Sequence, residues 1–112
     1  LAPITLNGHP ATPGFMGPEH LKPPPAGPTP FSDVFSLGVL MWSALVGRPP
    51  IPFKGDMNDY ATRLARVELE GVAAMKDALS PVQFDLLARG LHRQPARRFR
   101  DGNDLAMALE VL

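Results

Sequence analysis

The sequence has no cysteine and only three histidines. Without cysteine the chain forms no disulfide and offers no thiolate for catalysis or for metal binding. The histidines, His9, His20 and His92, lie far apart in the chain and lack the spacing of metal ligands. We therefore expect no metal site.

An excess of charge of one sign is also missing. The 11 basic and 11 acidic residues cancel, and neither kind forms a long run. This balance leaves no electrostatic footprint for nucleic acid or for an anionic membrane surface. We expect no nucleic-acid partner.

The sequence lacks a long apolar run. The longest uncharged apolar stretch, residues 34–46, is well short of the ~20 residues that a membrane-spanning helix needs. The N-terminus has no basic segment followed by an apolar one, as a signal peptide would. We expect a cytoplasmic location and no membrane span, and the 112 residues fit one domain or a piece of a larger one.

Proline and glycine are concentrated in the first 31 residues, which include the run from Pro23 to Pro25. Proline lacks a backbone N–H and fixes φ, so this density excludes a regular helix or a central strand. No convincing strand alternation appears elsewhere. We predict an all-α chain with two parts, an irregular segment at 1–31 and a helical region at 32–112.

The first predicted helix is apolar around its whole circumference. It begins after Thr29 or Ser32, either of which can cap it, and ends at Gly47. Exposing any of its faces would cost about 25 cal/mol per Å², so it should be the buried axis of a larger helical body. Asp33 at its start is explained equally well as a capping residue or as an anchor for a neighbouring loop.

Three further helices are predicted after this one. A weaker one covers residues 56–70, where Asp59 can pair with Arg63 one turn later. Another starts at Ser80, whose spacing to Gln83 is that of a capping box. The last starts after Asp101 and repeats apolar residues at helical spacing.

The first helix also carries a known motif. Its segment SDVFSLGVLMWSALVGRPP resembles the central helix of the C-terminal lobe of protein kinases, whose Asp-x-x-Ser-x-Gly signature is present as Asp33, Ser36 and Gly38. The resemblance is strongest to bacterial-type Ser/Thr kinases, and it covers about residues 9–112.

Two other segments match the same family in the same order. ATPGFMGPE resembles the end of the activation segment, Gly-Thr-x-x-Tyr-x-Ala-Pro-Glu, with matches at Thr12, Phe15, Pro18 and Glu19. The stretch before the last helix resembles Leu-x-x-x-Leu-x-x-Asp-Pro-x-x-Arg-Pro, with matches at Leu87, Leu91, Pro95 and Arg98. The fold implied is the helical lower lobe of a protein-kinase-like fold, incomplete and running from the activation segment to the last helix.

The resemblance implies three structural anchors. Glu19 and Arg98 would form the buried ion pair that ties the activation segment to the lobe. Asp33 would accept backbone hydrogen bonds from the catalytic loop. Taken alone, Glu19 and Arg98 would each be read as a solvated surface charge.

The resemblance also implies a substrate-binding shelf. Thr12 would support the catalytic aspartate, and the residue after the phosphoacceptor would rest on Pro13, Gly14, Phe15 and Met16. The pair Pro13-Gly14 is otherwise read as an ordinary turn. Thr5 would be an activation-loop phosphorylation site.

The motifs that perform phosphoryl transfer are not in this sequence. It contains no glycine-rich nucleotide loop, no Val-Ala-x-Lys, no His-Arg-Asp and no Asp-Phe-Gly. We expect no catalytic residue and no cofactor in this fragment, with ATP and Mg²⁺ used by a full-length parent. The matching part also departs from the family pattern at Gly17, Gln94 and Phe99, where alanine, aspartate and proline are usual; the change at Gly17 is expected to be harmless to packing.

Two function classes remain open. The first is the C-terminal lobe of a Ser/Thr kinase that binds a protein substrate, and the second is a non-catalytic, pseudokinase-like module that binds a protein partner through the helix at 56–70. A third reading treats Pro25 and Pro28 as a polyproline ligand. Because much of a kinase lobe is missing, we also expect an exposed apolar patch and self-association or segment exchange.

Overall fold

The computed structural model describes residues 4–6, 9–22 and 27–110. This part contains five α-helices, which confirms the all-α class. They are α1 (Pro30–Val46), α2 (Met57–Arg66), α3 (Val72–Ala78), α4 (Pro81–Gly90) and α5 (Gly102–Glu110). None of these helices combines the length and the apolar character that crossing a bilayer requires.

The N-terminal segment contains a short hairpin that the proline pattern did not predict. Strands β1 (Ile4–Leu6) and β2 (His9–Ala11) pair antiparallel, with Thr5 opposite Pro10. A two-stranded ribbon consists of edge strands only, and an edge strand tolerates proline on its unpaired side. A single 3₁₀ turn, Pro18–Leu21, follows, and no described residue before Pro30 is α-helical. The proposed division at residues 31 and 32 stays a prediction.

Capping hydrogen bonds define the start of helix α1, and a glycine defines its end. The Thr29 hydroxyl accepts a hydrogen bond from the Phe31 N–H (3.2 Å), and the Ser32 hydroxyl accepts one from the Thr29 N–H (2.9 Å). Both predicted capping candidates therefore take part in one capping box. At the other end Gly47 has φ of 90°, a left-handed conformation that glycine adopts without steric cost.

The helix predicted at 56–70 is shorter than expected, and α3 was missed. Asp56 caps α2, and the predicted Asp59–Arg63 pair is present at 2.9 Å. The chain then leaves the helix at Val67, whose φ of 50° is left-handed. Gly71, with φ of 83°, starts α3. A β-branched residue in the left-handed region is a genuine outlier, so no local sequence signal predicts this break.

Helices α4 and α5 begin as predicted. The Ser80 hydroxyl accepts from the Gln83 N–H (3.2 Å), and the Gln83 side chain accepts from the Ser80 N–H (3.0 Å). Asp101 accepts from the Asp104 N–H at 2.9 Å at the start of α5. Both starts depend on side chains within three residues of one another, which makes them readable from sequence.

The core lies on one side of α1, so the prediction that this helix is surrounded is wrong for this chain. Val39 and Trp42 on α1 are buried within the main cluster, and Val34 packs with Phe99 and Leu105 in a second one. In contrast, Leu40 is 55% exposed and Leu45 is 49% exposed. The other described helices cover only part of the circumference of α1.

Candidate functional site

A buried ion pair joins the N-terminal segment to the end of the chain. Arg98 donates to both carboxylate oxygens of Glu19, at 2.6 Å from Nη1 and 2.9 Å from Nη2. The two residues, 79 positions apart in the chain, are 4% and 2% exposed. This bidentate geometry is the strongest form of a carboxylate–guanidinium contact.

The rest of the Arg98 guanidinium is also satisfied. Nη1 donates to the carbonyl oxygen of Phe31 (2.9 Å) and Nε donates to that of His92 (2.7 Å). The guanidinium lies 4.8 Å from the centre of the Phe35 ring, within cation–π range. Arg98 thereby contacts the 3₁₀ turn, α1 and the loop after α4 at once.

Ser32 completes the site and was predicted only as a helix cap. Its hydroxyl donates to Oε2 of Glu19 at 2.5 Å. Burial raises the pKa of Glu19, but hydrogen bonds from Arg98 and Ser32 outweigh it and hold that pKa below its ordinary value. The carboxylate is therefore ionised at neutral pH. The Ser32 contact spans 13 positions, and no local sequence rule reports a contact of that kind.

Gly17 leaves room for this carboxylate. A Cβ at Gly17 would lie 2.7 Å from Oε1 of Glu19, and that oxygen is held by Arg98 rather than free to move. Glycine in place of alanine therefore fits this packing, in agreement with the expectation that it is harmless. The Glu19 carboxylate occupies the space that a methyl group at position 17 would need.

The residues of the predicted shelf form a tight turn on α1. The Phe15 N–H donates to the Thr12 carbonyl at 3.0 Å, and Gly14 between them has φ of 97°. The Ser36 hydroxyl of α1 donates to the Phe15 carbonyl at 2.8 Å. Pro13, Gly14 and Met16 are buried, whereas Thr12 and Phe15 are partly exposed. We refer to residues 12–16 as the turn.

Three predicted residues lie away from this cluster or outside the described part. Asp33 is in the first turn of α1 and exposed, and among the described residues no hydrogen bond reaches its carboxylate. Thr5 belongs to β1, and its role stays a prediction. Pro25 of the polyproline reading lies outside the described residues.

Two residues that depart from the family pattern, Phe99 and Gln94, make defined contacts in the structure. Phe99 is buried with Val34 and Leu105, and the Arg89 guanidinium lies 4.1 Å from its ring centre, so the bulkier side chain fills a core position. Gln94 precedes the 3₁₀ turn Pro95–Arg97 without a side-chain cap. Its N–H donates instead to Nδ1 of His92 at 2.9 Å.

No family model matches the chain, but individual protein kinases do. It is 39% identical over 84 residues to the Serine/threonine-protein kinase drp72 of Corynebacterium efficiens, covering 75% of this chain and 15% of that protein. Identity to the Serine/threonine-protein kinase PknL of Mycobacterium tuberculosis is 30% over 102 residues, or 90% of this chain and 25% of PknL.

A eukaryotic kinase matches as well. Human Calcium/calmodulin-dependent protein kinase type 1B is 32% identical over 88 residues, which is 79% of this chain and 25% of that protein. The chain thus spans between 15% and 25% of the length of these three relatives. Together with the helical fold, the matches show that the chain belongs to the Ser/Thr protein kinases and corresponds to part of their C-terminal lobe.

Proposed function

We propose that this chain is the C-terminal lobe portion of a Ser/Thr protein kinase whose parent transfers phosphoryl groups from ATP to protein substrates. The chain would supply the substrate shelf and the scaffold that holds it. The observation that carries the proposal is the buried Glu19–Arg98 pair, which lies directly after the turn and ties it to the helices.

The turn has the properties that a shelf needs. The Ser36 hydroxyl donates to the Phe15 carbonyl of the turn, and Arg98 holds Glu19 three residues after the turn. We therefore expect the turn to keep one shape when a peptide binds. A rigid binding surface avoids an ordering cost on association. Phe15 and Thr12 remain partly exposed, and we assign them the contact with substrate.

The chemistry would come from other parts of the parent. We assign ATP and Mg²⁺ to the parent as a whole, because the relatives are protein kinases. Asp33, exposed at the start of α1, would anchor the catalytic loop of that parent. We place the lobe in the cytoplasm, where ATP is available.

The test is a kinetic comparison in the full-length parent. Replacing Phe15 with alanine should raise the KM for a protein substrate about tenfold, as the loss of roughly 1.4 kcal/mol of apolar contact would, and should leave the KM for ATP unchanged. Val82→Ala, at an exposed apolar side chain on α4, is the matched control. A KM for protein substrate that Phe15→Ala does not change would exclude the shelf.

The alternative is a non-catalytic module that binds a protein partner through α2. The substitutions at Gln94 and Phe99 are of the kind that a pseudokinase accumulates. Helix α2 also has an exposed polar face, which includes Asn58, Thr62 and Arg66. A parent that binds its partner but transfers no phosphate to any protein would favour this function.

We also propose that the isolated chain self-associates or exchanges segments with a second copy. Among the side chains that the structure describes, four large apolar ones are about half exposed, and they lie on three helices: Leu40, Leu45, Val82 and Met107. Soluble monomers rarely leave large contiguous apolar patches in water. In the parent, Leu40 and Leu45 would instead pack against the remainder of the lobe.

A further inference from the structure

A groove on the surface of the chain lies between the 3₁₀ turn Pro18–Leu21, helix α2 and the loop after α4. Its volume is about 380 Å³, within the range of about 300–1,000 Å³ that ligand sites span. Part of its lining is apolar and open to solvent, at Leu21, Ala65 and Pro95. The residues of the turn at 12–16 lie outside this lining, so the groove is separate from the proposed shelf.

Two basic side chains, Lys22 and Arg93, also line the groove. Both are exposed, and neither forms a salt bridge within the described part of the chain. Glu19 lines the groove as well, but its carboxylate is held by Arg98 and Ser32. The negative charge of Glu19 is thus compensated inside the protein, whereas the charges of Lys22 and Arg93 are not. The groove therefore favours an anionic group.

Position 94 makes the groove more positive than the family pattern would. That pattern has aspartate there, whereas this chain has Gln94, which lines the groove and follows Arg93 in the chain. An aspartate would add a carboxylate to the lining that holds the two cations, and glutamine leaves their charge without that offset. Gln94 is exposed and does not cap the 3₁₀ turn that it precedes, so neither packing nor capping explains the change.

We propose that this groove binds an acidic segment of a protein partner. An apolar side chain of that segment would rest on the lining at Leu21, Ala65 and Pro95, and its carboxylates would face Lys22 and Arg93. Apolar contact combined with complementary charge is typical of a specific protein interface, whereas an inorganic anion would leave the apolar lining in water. The inference does not rest on the proposed shelf, because it uses no residue of the turn.

The first experiment titrates this chain with a short peptide in which one leucine is flanked on both sides by glutamates, and follows the amide resonances by NMR. The amides of Lys22, Ala65 and Gln94 should shift, and the affinity should fall as salt is added. A peptide with serine in place of leucine should bind more weakly, and one with lysine in place of glutamate should not bind.

Two results of this titration would overturn the proposal. The first is the absence of shifts at these three amides when the peptide is present at millimolar concentration. The second is equal binding by the serine peptide or by inorganic phosphate, which would show that the groove attracts anions without recognising a peptide.

Charge variants distinguish attraction by the groove from attraction by the surface as a whole. Lys22→Gln and Arg93→Gln should each weaken peptide binding roughly twofold to fivefold, the range for exposed charge pairs, and Gln94→Asp should weaken it by a similar factor. Arg97→Gln is the matched control, because Arg97 is exposed and carries the same charge but lies outside the lining. An equal loss in Arg97→Gln, or no loss in the other three variants, would overturn the proposal.

The last experiment repeats the titration with the full-length parent and separates this proposal from the shelf. Peptide binding should persist there, Arg93→Gln should weaken it, and Phe15→Ala should leave it unchanged. A parent that does not bind the peptide, or one in which Phe15→Ala abolishes binding, would overturn docking at the groove. A KM for protein substrate that Phe15→Ala leaves unchanged would overturn the shelf alone.

Discussion

The Arg98 guanidinium is bonded at all three of its nitrogens, and removing Glu19 would leave most of that charge buried without its counter-ion. We predict that Glu19→Leu or Arg98→Met alone lowers the free energy of unfolding by about 3–5 kcal/mol. The double variant should recover much of the loss, since two apolar side chains leave no unpaired charge. Urea unfolding measures all three. Arg100→Ala, at a side chain 77% exposed, is the control and should change stability by less than about 0.5 kcal/mol. Strictly additive single losses would mean that the two residues are not coupled.

The lowered pKa of Glu19 makes the stability dependent on pH with a definite sign. The native state favours the ionised carboxylate, so its contribution is present above the unfolded-state pKa, about 4.3, and is lost as pH falls through the native pKa. We predict that the stability difference between the unaltered chain and Glu19→Gln is constant near neutral pH and shrinks below about pH 4. A difference that stays constant down to pH 2 would rule out the ionised pair.

At the level of single residues, the sequence predicted the members of the ion pair but not their surroundings. Glu19 and Arg98 were found through the family motifs, which carry long-range information that composition and spacing lack. Ser32 was predicted only as a helix cap. Its contact with Glu19 joins segments 13 positions apart in the chain, and no local rule predicts such a contact.

Among the helices, α1 packs closely at Gly38 against Leu91, the residue that caps the C-terminal end of α4. A Cβ there would lie 3.0 Å from Cδ2 of the buried Leu91. We therefore predict that Gly38→Leu lowers the free energy of unfolding by about 1–3 kcal/mol, because the larger side chain overpacks this contact. Gly90→Ala is the matched control, because its Cβ would meet neighbours only at 3.7 Å, and helix propensity should make it neutral or stabilising by up to about 1 kcal/mol. Thermal unfolding distinguishes them. Equal effects of the two changes would contradict close packing at Gly38.

Helix boundaries could be read from the sequence where the signals are local. The starts of α1, α4 and α5 depend on side chains within three residues of the cap, and all were predicted. The end of α2 depends on a left-handed Val67, a conformation that valine's own preference opposes. Tertiary packing therefore decides that boundary, and the short α3 that follows was missed for the same reason.

At the scale of the whole molecule, the apolar side chains on α1 should control association. We predict that the isolated chain forms dimers or larger species as its concentration rises, and that replacing Leu40 and Leu45 with glutamate shifts it to monomer without loss of helicity, because both side chains are half exposed. Sedimentation and circular dichroism measure the two effects. A strictly monomeric unaltered chain at every concentration would contradict the proposed self-association.

We expect the buried Glu19–Arg98 ion pair to make residues 12–22 and the helices one cooperative body. Native-state amide exchange measures this at the N–H groups of Phe15, His20 and Lys22, each of which donates to a carbonyl three residues earlier. We predict that these amides open with nearly the same free energy as the core of α1, and that Glu19→Gln lowers this opening free energy more at the three amides than in α1. Exchange of all three amides at the rate of an unfolded chain, in the unaltered protein, would contradict such a cooperative body.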